Sequence, residues 1–125
     1  HLLQRDIGSI AFDSSHGAGL AVVTPAWMRF IYKKDIPRFA QWAERVMDVE
    51  LDPFHLEIGA LEGIERFEAF IRSVDLPTHL SEVGVNGMDD VMRMADKAFS
   101  GGNGTLGGYH PISRRDFIDI LQSVL

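Results

Sequence analysis

The stretch Phe12-Asp13-Ser14-Ser15-His16-Gly17-Ala18-Gly19-Leu20-Ala21-Val22-Val23-Thr24-Pro25-Ala26-Trp27-Met28 decides how the rest of the chain is read. Its apolar run Leu20-Ala21-Val22-Val23 carries no polar face, so a helix here must be buried almost all round. Pro25 removes a backbone donor and is expected to break or kink that helix, leaving Trp27, Phe30 and Ile31 for a following turn. Gly17 and Gly19 are costly in a helix, by about 1 kcal/mol each relative to alanine. Their presence with Ala18 points to another element or a ligand coming close to the backbone. His16, at the start of this segment, can present an imidazole to a metal. A lone histidine beside an apolar run is more commonly a hydrogen-bonded structural residue, so His16 by itself leaves both readings open.

Outward from this stretch the helical period dominates. From Ile36 the apolar residues Phe39, Ala43, Val46 and Met47 mark one face, with Pro37 in the first turn and Asp35 as the cap. A second amphipathic helix is expected from Leu56 to Val74, on Ile58, Leu61, Ile64, Phe67, Ile71 and Val74, ending before Leu76-Pro77. A shorter one spans Met88 to Phe99 on Met88, Val91, Ala95 and Ala98. The last begins at Ser113, whose spacing to Asp116 resembles a capping box, and buries Phe117, Ile120, Leu121 and Val124. No segment alternates with period two and no internal repeat is present, so the fold class is all-α, a helical bundle. The glycine-rich run from Ser100 to Gly108 lacks the Gly-Lys-Ser/Thr ending of a phosphate loop and reads as a connector.

The bulk chemistry narrows the function. The 125 residues are enough for one domain or part of a larger one, and 46 % hydrophobic with 24 % charged residues is ordinary for a globular protein. A net charge of −6 with scattered Lys and Arg argues against nucleic acid. No apolar run reaches the roughly 18 residues of a membrane span. The absence of cysteine excludes disulfides and thiolate metal sites, in keeping with a cytoplasmic enzyme. The first residue is His1 rather than Met, which leads to the expectation that the chain begins mid-protein or is processed. His55, His79 and His110 fall in expected loops without a metal-binding spacing and read as surface or capping residues.

Several blocks together carry more than any single motif. The segment Asp13 to Met28 resembles the D-x-x-H-G-x-G-L-A-x-x-x-P-A-W-M signature of iron-containing (group III) alcohol dehydrogenases, in their butanol-dehydrogenase-like branch. Arg38-Phe39-Ala40-Gln41-Trp42-Ala43 is similar to that family's R-F-A-x-x-A helix, and Leu61-Glu62-Gly63-Ile64 to another of its helices. Leu76-Pro77-Thr78-His79-Leu80-Ser81-Glu82-Val83-Gly84 resembles its L-P-T-x-L-S-E-L-G turn. Gly107 to Asp116 resembles the entry to its last helix.

The resemblance implies that residues 1–125 are the C-terminal helical metal-domain portion, as in dehydroquinate synthase-like proteins, with the N-terminal nucleotide-binding domain absent. It implies an NAD- or NADP-dependent oxidation of an alcohol, or reduction of an aldehyde or ketone, with one Fe2+ or Zn2+ held by one Asp and three His. The isolated chain is expected to be inactive and to form homo-oligomers. The family's Gly-Gly-Gly-Ser loop is not in this sequence, nor is a D-x-x-x-H pair ahead of His16 that would supply the first two metal ligands. His16 matches the family's last metal histidine. The preceding ligand lies fourteen positions earlier in the family, which here is Leu2, a residue unable to bind metal. His1 takes that place if one extra residue is present near Ala11, and Arg5 then stands where the family has its second histidine. Otherwise His1 is merely the first residue of the sequence. Leu2 and Arg5 also keep open a non-catalytic helical assembly module derived from the family.

Overall fold

A computed structural model describes residues 16–100, 104–107 and 109–125. Among the described residues five α-helices carry the fold: α1 (His16–Ile31), α2 (Ile36–Met47), α3 (Leu56–Ser73), α4 (Met88–Ala98) and α5 (Arg114–Gln122). Short 3₁₀ turns at Tyr32–Lys34 and Leu80–Val83 tighten the connections after α1 and before α4. The bundle expected from the sequence is present. It carries one addition, a two-stranded antiparallel ribbon of β1 (Thr105–Leu106) and β2 (Ile112–Ser113), with Leu106 opposite Ile112. Strands of two residues are too short to show a period, which is why alternation gave no sign of them.

Helix α1 stands between two cores. Val22, Val23 and Ala26 pack with Leu80, Val85, Val91, Met94, Phe117, Ile120 and Leu121 of the C-terminal half. Met28 and Ile31, with Tyr32 beyond the helix end, pack instead with Phe39, Ala40, Ala60 and Ile64 of α2 and α3. Within the apolar run Leu20 to Val23, Ala21, Val22 and Val23 are buried, and Val22 and Val23 belong to the first of these cores. Pro25 does not break the helix, which corrects that part of the sequence expectation; it is itself buried, and α1 continues to Ile31. Packing on both sides outweighs the one backbone donor that proline lacks. Trp27 and Phe30 therefore lie on the same helix and contact both cores.

Helices α2 and α3 approach closely because Gly63 is buried where they touch. A Cβ at Gly63 would meet the Ala43 side chain and come within 3.0 Å of both the Ala43 Cα and Trp42 Cζ3. One turn on, Trp42 and Phe67 meet edge to face at 6.0 Å. The end of α2 is closed by Asp48 in the left-handed region (φ 57°), with the Val49 N–H bonded back to the Ala43 carbonyl at 3.1 Å. From α3, the Arg66 guanidinium donates to the free carbonyls of Met47 and Asp48 at 3.0 and 2.9 Å. A bidentate pair ties α1 to α3, Arg29 donating to both Glu68 carboxylate oxygens at 2.9 and 2.6 Å.

Most of the expected helix limits stand: α3 ends at Ser73, ahead of Leu76-Pro77, and α4 at Ala98. The Ser113 box is formed, its hydroxyl accepting from the Asp116 N–H at 3.1 Å and the Asp116 carboxylate from the Ser113 N–H at 3.0 Å. Three apolar positions assigned to buried faces are exposed instead: Val46 (65 %), Ile58 (66 %) and Val74 (48 %). Each lies at or near a helix end.

The Gly63 contact makes a direct forecast. Gly63→Ala forces α2 and α3 apart, and we expect chemical denaturation to show a loss of about 1–3 kcal/mol despite alanine's better helix propensity. A gain in stability would mean the two helices can separate freely.

Candidate metal-bearing helix and the Asp35 cluster

His16 is the first residue of α1, at the end of the helix remote from Tyr32. Fifteen residue steps at about 1.5 Å each separate the two ends by roughly 22 Å. Beside it, Gly17 is exposed, with no atom within 4 Å of the place a Cβ would take. The expected close approach to the backbone at Gly17 is thus not made by any described residue, whereas Gly19 is buried. Gly59 and Gly63 of α3 are the glycines against which side chains press. His1, Leu2 and Arg5 lie outside the described residues.

Among the described residues no group of three or more His, Cys, Asp or Glu is placed to hold a metal. Imidazole nitrogen suits iron and zinc alike, so the donor type is compatible with either. His55 and His79 are partnered locally. His55 precedes α3, and its Nδ1 lies 2.8 Å from Asp52 Oδ2, while the other Asp52 oxygen accepts from the Phe54 N–H at 2.9 Å. These two contacts, the His55 bond first, hold the Asp52 carboxyl below its ordinary range. His79 precedes the second 3₁₀ turn, with Nδ1 3.1 Å from Thr78 Oγ1.

At the opposite end of α1 the structure assembles a cluster that sequence reasoning missed. Asp35 occupies the cap position of α2, as the sequence predicts, but its side chain makes no capping hydrogen bond. Its carboxylate instead accepts from the Tyr109 hydroxyl, across 74 residues of chain. Arg38 Nε lies 3.6 Å and His110 Nε2 3.8 Å from Asp35 Oδ2. The Tyr109 ring is sandwiched among Trp27 of α1 (6.2 Å), the Arg38 guanidinium (5.1 Å) and the His110 ring (4.3 Å). No local pattern could have disclosed this pairing, because neither a helix cap nor a residue after glycines reveals a partner so far along the chain.

The Tyr109 hydrogen bond, followed by the Arg38 charge, lowers the Asp35 pKa; desolvation, followed by that same hydrogen bond, raises that of Tyr109. Because Asp35 is depressed, its contribution to stability is complete above the ordinary carboxylate range and is lost as pH falls through the lowered value. Because Tyr109 is raised, its contribution is complete below about pH 10 and is lost as pH rises through the raised value. In Tyr109→Phe we expect the Asp35 carboxyl, followed by carbon NMR, to titrate closer to an ordinary aspartate. An unchanged titration would show that Arg38 alone sets it.

The comparisons with known proteins agree with this architecture. The profile of the Fe-containing alcohol dehydrogenase family, C-terminal, matches residues 1–125. A probable NADH-dependent butanol dehydrogenase of Bacillus subtilis is 36 % identical over 125 residues, all of this chain and 31 % of that protein. NADH-dependent butanol dehydrogenase A of Clostridium acetobutylicum is 32 % identical over 123 residues, 98 % of this chain and 31 % of that protein. Among solved structures, NADH-dependent butanol dehydrogenase A of Thermotoga maritima superposes with a TM-score of 0.83 at 27 % identity, over 99 % of this chain and 32 % of that one. The aldehyde reductase YqhD of E. coli shares the fold, with a TM-score of 0.86 at 22 % identity, over 100 % of this chain and 32 % of that one. The chain thus spans about a third of the length of the relatives it matches. On the full-length family match and the shared helical bundle, it belongs to the Fe-containing alcohol dehydrogenase family, of which it represents the C-terminal region.

Proposed function

We propose that this chain is the helical metal-domain portion of an NAD(P)-dependent alcohol dehydrogenase, one that interconverts an alcohol and an aldehyde or ketone by hydride transfer. The observation that carries the reading is the family match over all 125 residues, with His16 of its D-x-x-H-G segment opening α1. Butanol dehydrogenase activity belongs by name to the relatives, and the whole enzyme's chemistry requires parts that this sequence does not contain. The nucleotide, NAD or NADP, is assigned to the family's nucleotide-binding domain, and residues 1–125 alone are expected to be inactive.

His16 and His1 are the proposed metal ligands within this chain. When bound, Fe2+ or Zn2+ supplies Lewis-acid polarisation of the substrate oxygen. The chain's own contribution is to hold His16 still. Burial of α1 between two cores, with Arg29 fastened to Glu68, fixes the helix that begins at this residue. Gly17, exposed and free of neighbours among the described residues, leaves room beside His16 for a ligand or for another part of the enzyme.

If Arg5 replaces the family's second histidine, it places a permanent positive charge beside the substrate. Arginine stays protonated and cannot relay protons, but it favours an anionic substrate such as a hydroxy acid. None of the described helices is long and apolar enough to cross a membrane, and we assign the enzyme to the cytoplasm, acting on small alcohols or aldehydes as a homo-oligomer.

Two measurements test these assignments. In the full-length protein, metal analysis with a binding titration should find about one iron or zinc per chain. His16→Ala should weaken it by more than about a hundredfold, beyond what loss of an outer-shell partner costs. Tight binding that survives the substitution would remove His16 from the site. For Arg5→His, relative activity should move from acidic towards neutral alcohols; an unchanged ratio would separate Arg5 from substrate choice.

A further inference from the structure

Asn86 and Asn103 are the only asparagines of the chain, and each is followed by glycine. Asn103 lies outside the described residues, whereas Asn86 stands just ahead of α4, between a fixed residue and a packed helix. Val85 before it is fully buried, its N–H bonded to the Leu80 carbonyl at 3.0 Å. Gly87 after it is the cap of α4, and its carbonyl accepts from the Val91 N–H at 3.3 Å. Asn86 itself is exposed, and its side chain is held only by a bond from Nδ2 to the Gly84 carbonyl at 3.3 Å, longer than the usual N–H to oxygen contact. The Asn86 N–H donates to Asp90 Oδ2 at 3.1 Å, but the Gly87 N–H donates to no described residue.

Nothing in the fold asks for glycine at this cap. The Gly87 backbone is extended, with φ 173° and ψ 176°, and no atom lies within 4 Å of the place a Cβ would take. What the missing Cβ does is leave the Gly87 nitrogen unshielded beside the Asn86 carboxamide.

We infer that Asn86–Gly87 is a self-modification site, at which Asn86 deamidates through a cyclic imide and the isoaspartate formed loosens the seat of α4. The Gly87 nitrogen, its proton passing to water or hydroxide, bonds to Asn86 Cγ, and the Cγ–Nδ2 bond breaks with release of ammonia. Water then opens the imide ring. Opening at Cγ yields aspartate, and opening at the Asn86 backbone carbonyl yields isoaspartate, whose main chain runs through Cβ and Cγ. The sum is one water taken up and one ammonia released without redox change, and the chain becomes one charge more negative than its formal −6.

The two products act differently on the fold. Aspartate adds a carboxylate near the N-terminus of α4, where the helix dipole favours it, and leaves the backbone as it was. Isoaspartate inserts one more C–C bond, about 1.5 Å, into the main chain between Val85 and Gly87. Val85 sits in the same core as Val91, Met94 and Ala95 of α4, so the added length must shift one against the other in a close-packed interior.

The test is ageing of the folded, full-length protein in mildly alkaline, heavy-oxygen water, followed by peptide mapping with electron-transfer fragmentation. The peptide carrying residue 86 should gain a heavy-oxygen carboxylate, as isoaspartate and aspartate. Amide-exchange protection of α4 should fall in proportion to the isoaspartate, while that of α3 holds. In Gly87→Ala, which the fold accommodates, both changes should be lost over the same interval. Asn86→Asp, which adds the charge without the extra bond, should leave α4 as protected as in fresh protein. An unconverted residue 86, or equal conversion in Gly87→Ala, would overturn the site. Conversion to isoaspartate with α4 protection intact, or the same loss of protection in Asn86→Asp, would overturn its effect on the helix.

Discussion

Two-sided burial of α1 is the constraint on which the other elements depend. A helix with residues of one face in the C-terminal core and residues of the other in the α2–α3 core has no solvated side along its middle. It can therefore neither rotate nor slide without exposing apolar surface, at about 25 cal/mol per Å². The remaining helices are arranged by this demand. Helices α4 and α5 close one side, α2 and α3 the other, and Trp27 and Phe30 bridge the two. A proline in such a helix is tolerated because packing, rather than the backbone ladder alone, maintains the helical geometry.

The same constraint organises function along one axis. His16 opens α1 at one end, and the Asp35 cluster gathers just beyond the other. A rigid helix between them makes the position of its first residue depend on packing along its whole length, the kind of support that the metal ligand proposed there requires. Gly63 serves this from a distance. By letting α2 and α3 touch, it allows Ala60 and Ile64 to reach the core around Ile31.

The electrostatics are local. Arg29 with Glu68 spans two helices, Arg66 closes the end of α2, and Asp35 holds the ribbon turn through Tyr109. None of these pairs is deeply buried, so their value lies more in orienting elements than in raw stability. The ribbon is the clearest instance. Two strands of two residues cannot hold themselves together. Their placement relies on Ile112 in the core and on Tyr109 and His110 reaching Asp35.

The sequence by itself determined the helical class, most helix limits and the Ser113 box, because these depend on short-range period, proline and capping chemistry. It also determined the family, because several ordered blocks, from Asp13-to-Met28 to Gly107-to-Asp116, are specific together in a way that His16 alone is not. Tertiary structure decided what depends on distant partners. Pro25 stays within α1, buried, with Val23 and Ala26 on one side of it in the C-terminal core and Met28 beyond it in the other. Val46 and Ile58 are exposed because the partner helices do not cover them. Asp35 turns from capping α2 to holding Tyr109 and facing His110. Each outcome is set by a neighbour dozens of residues away, and local periodicity carries no record of which residues the folded chain will bring together.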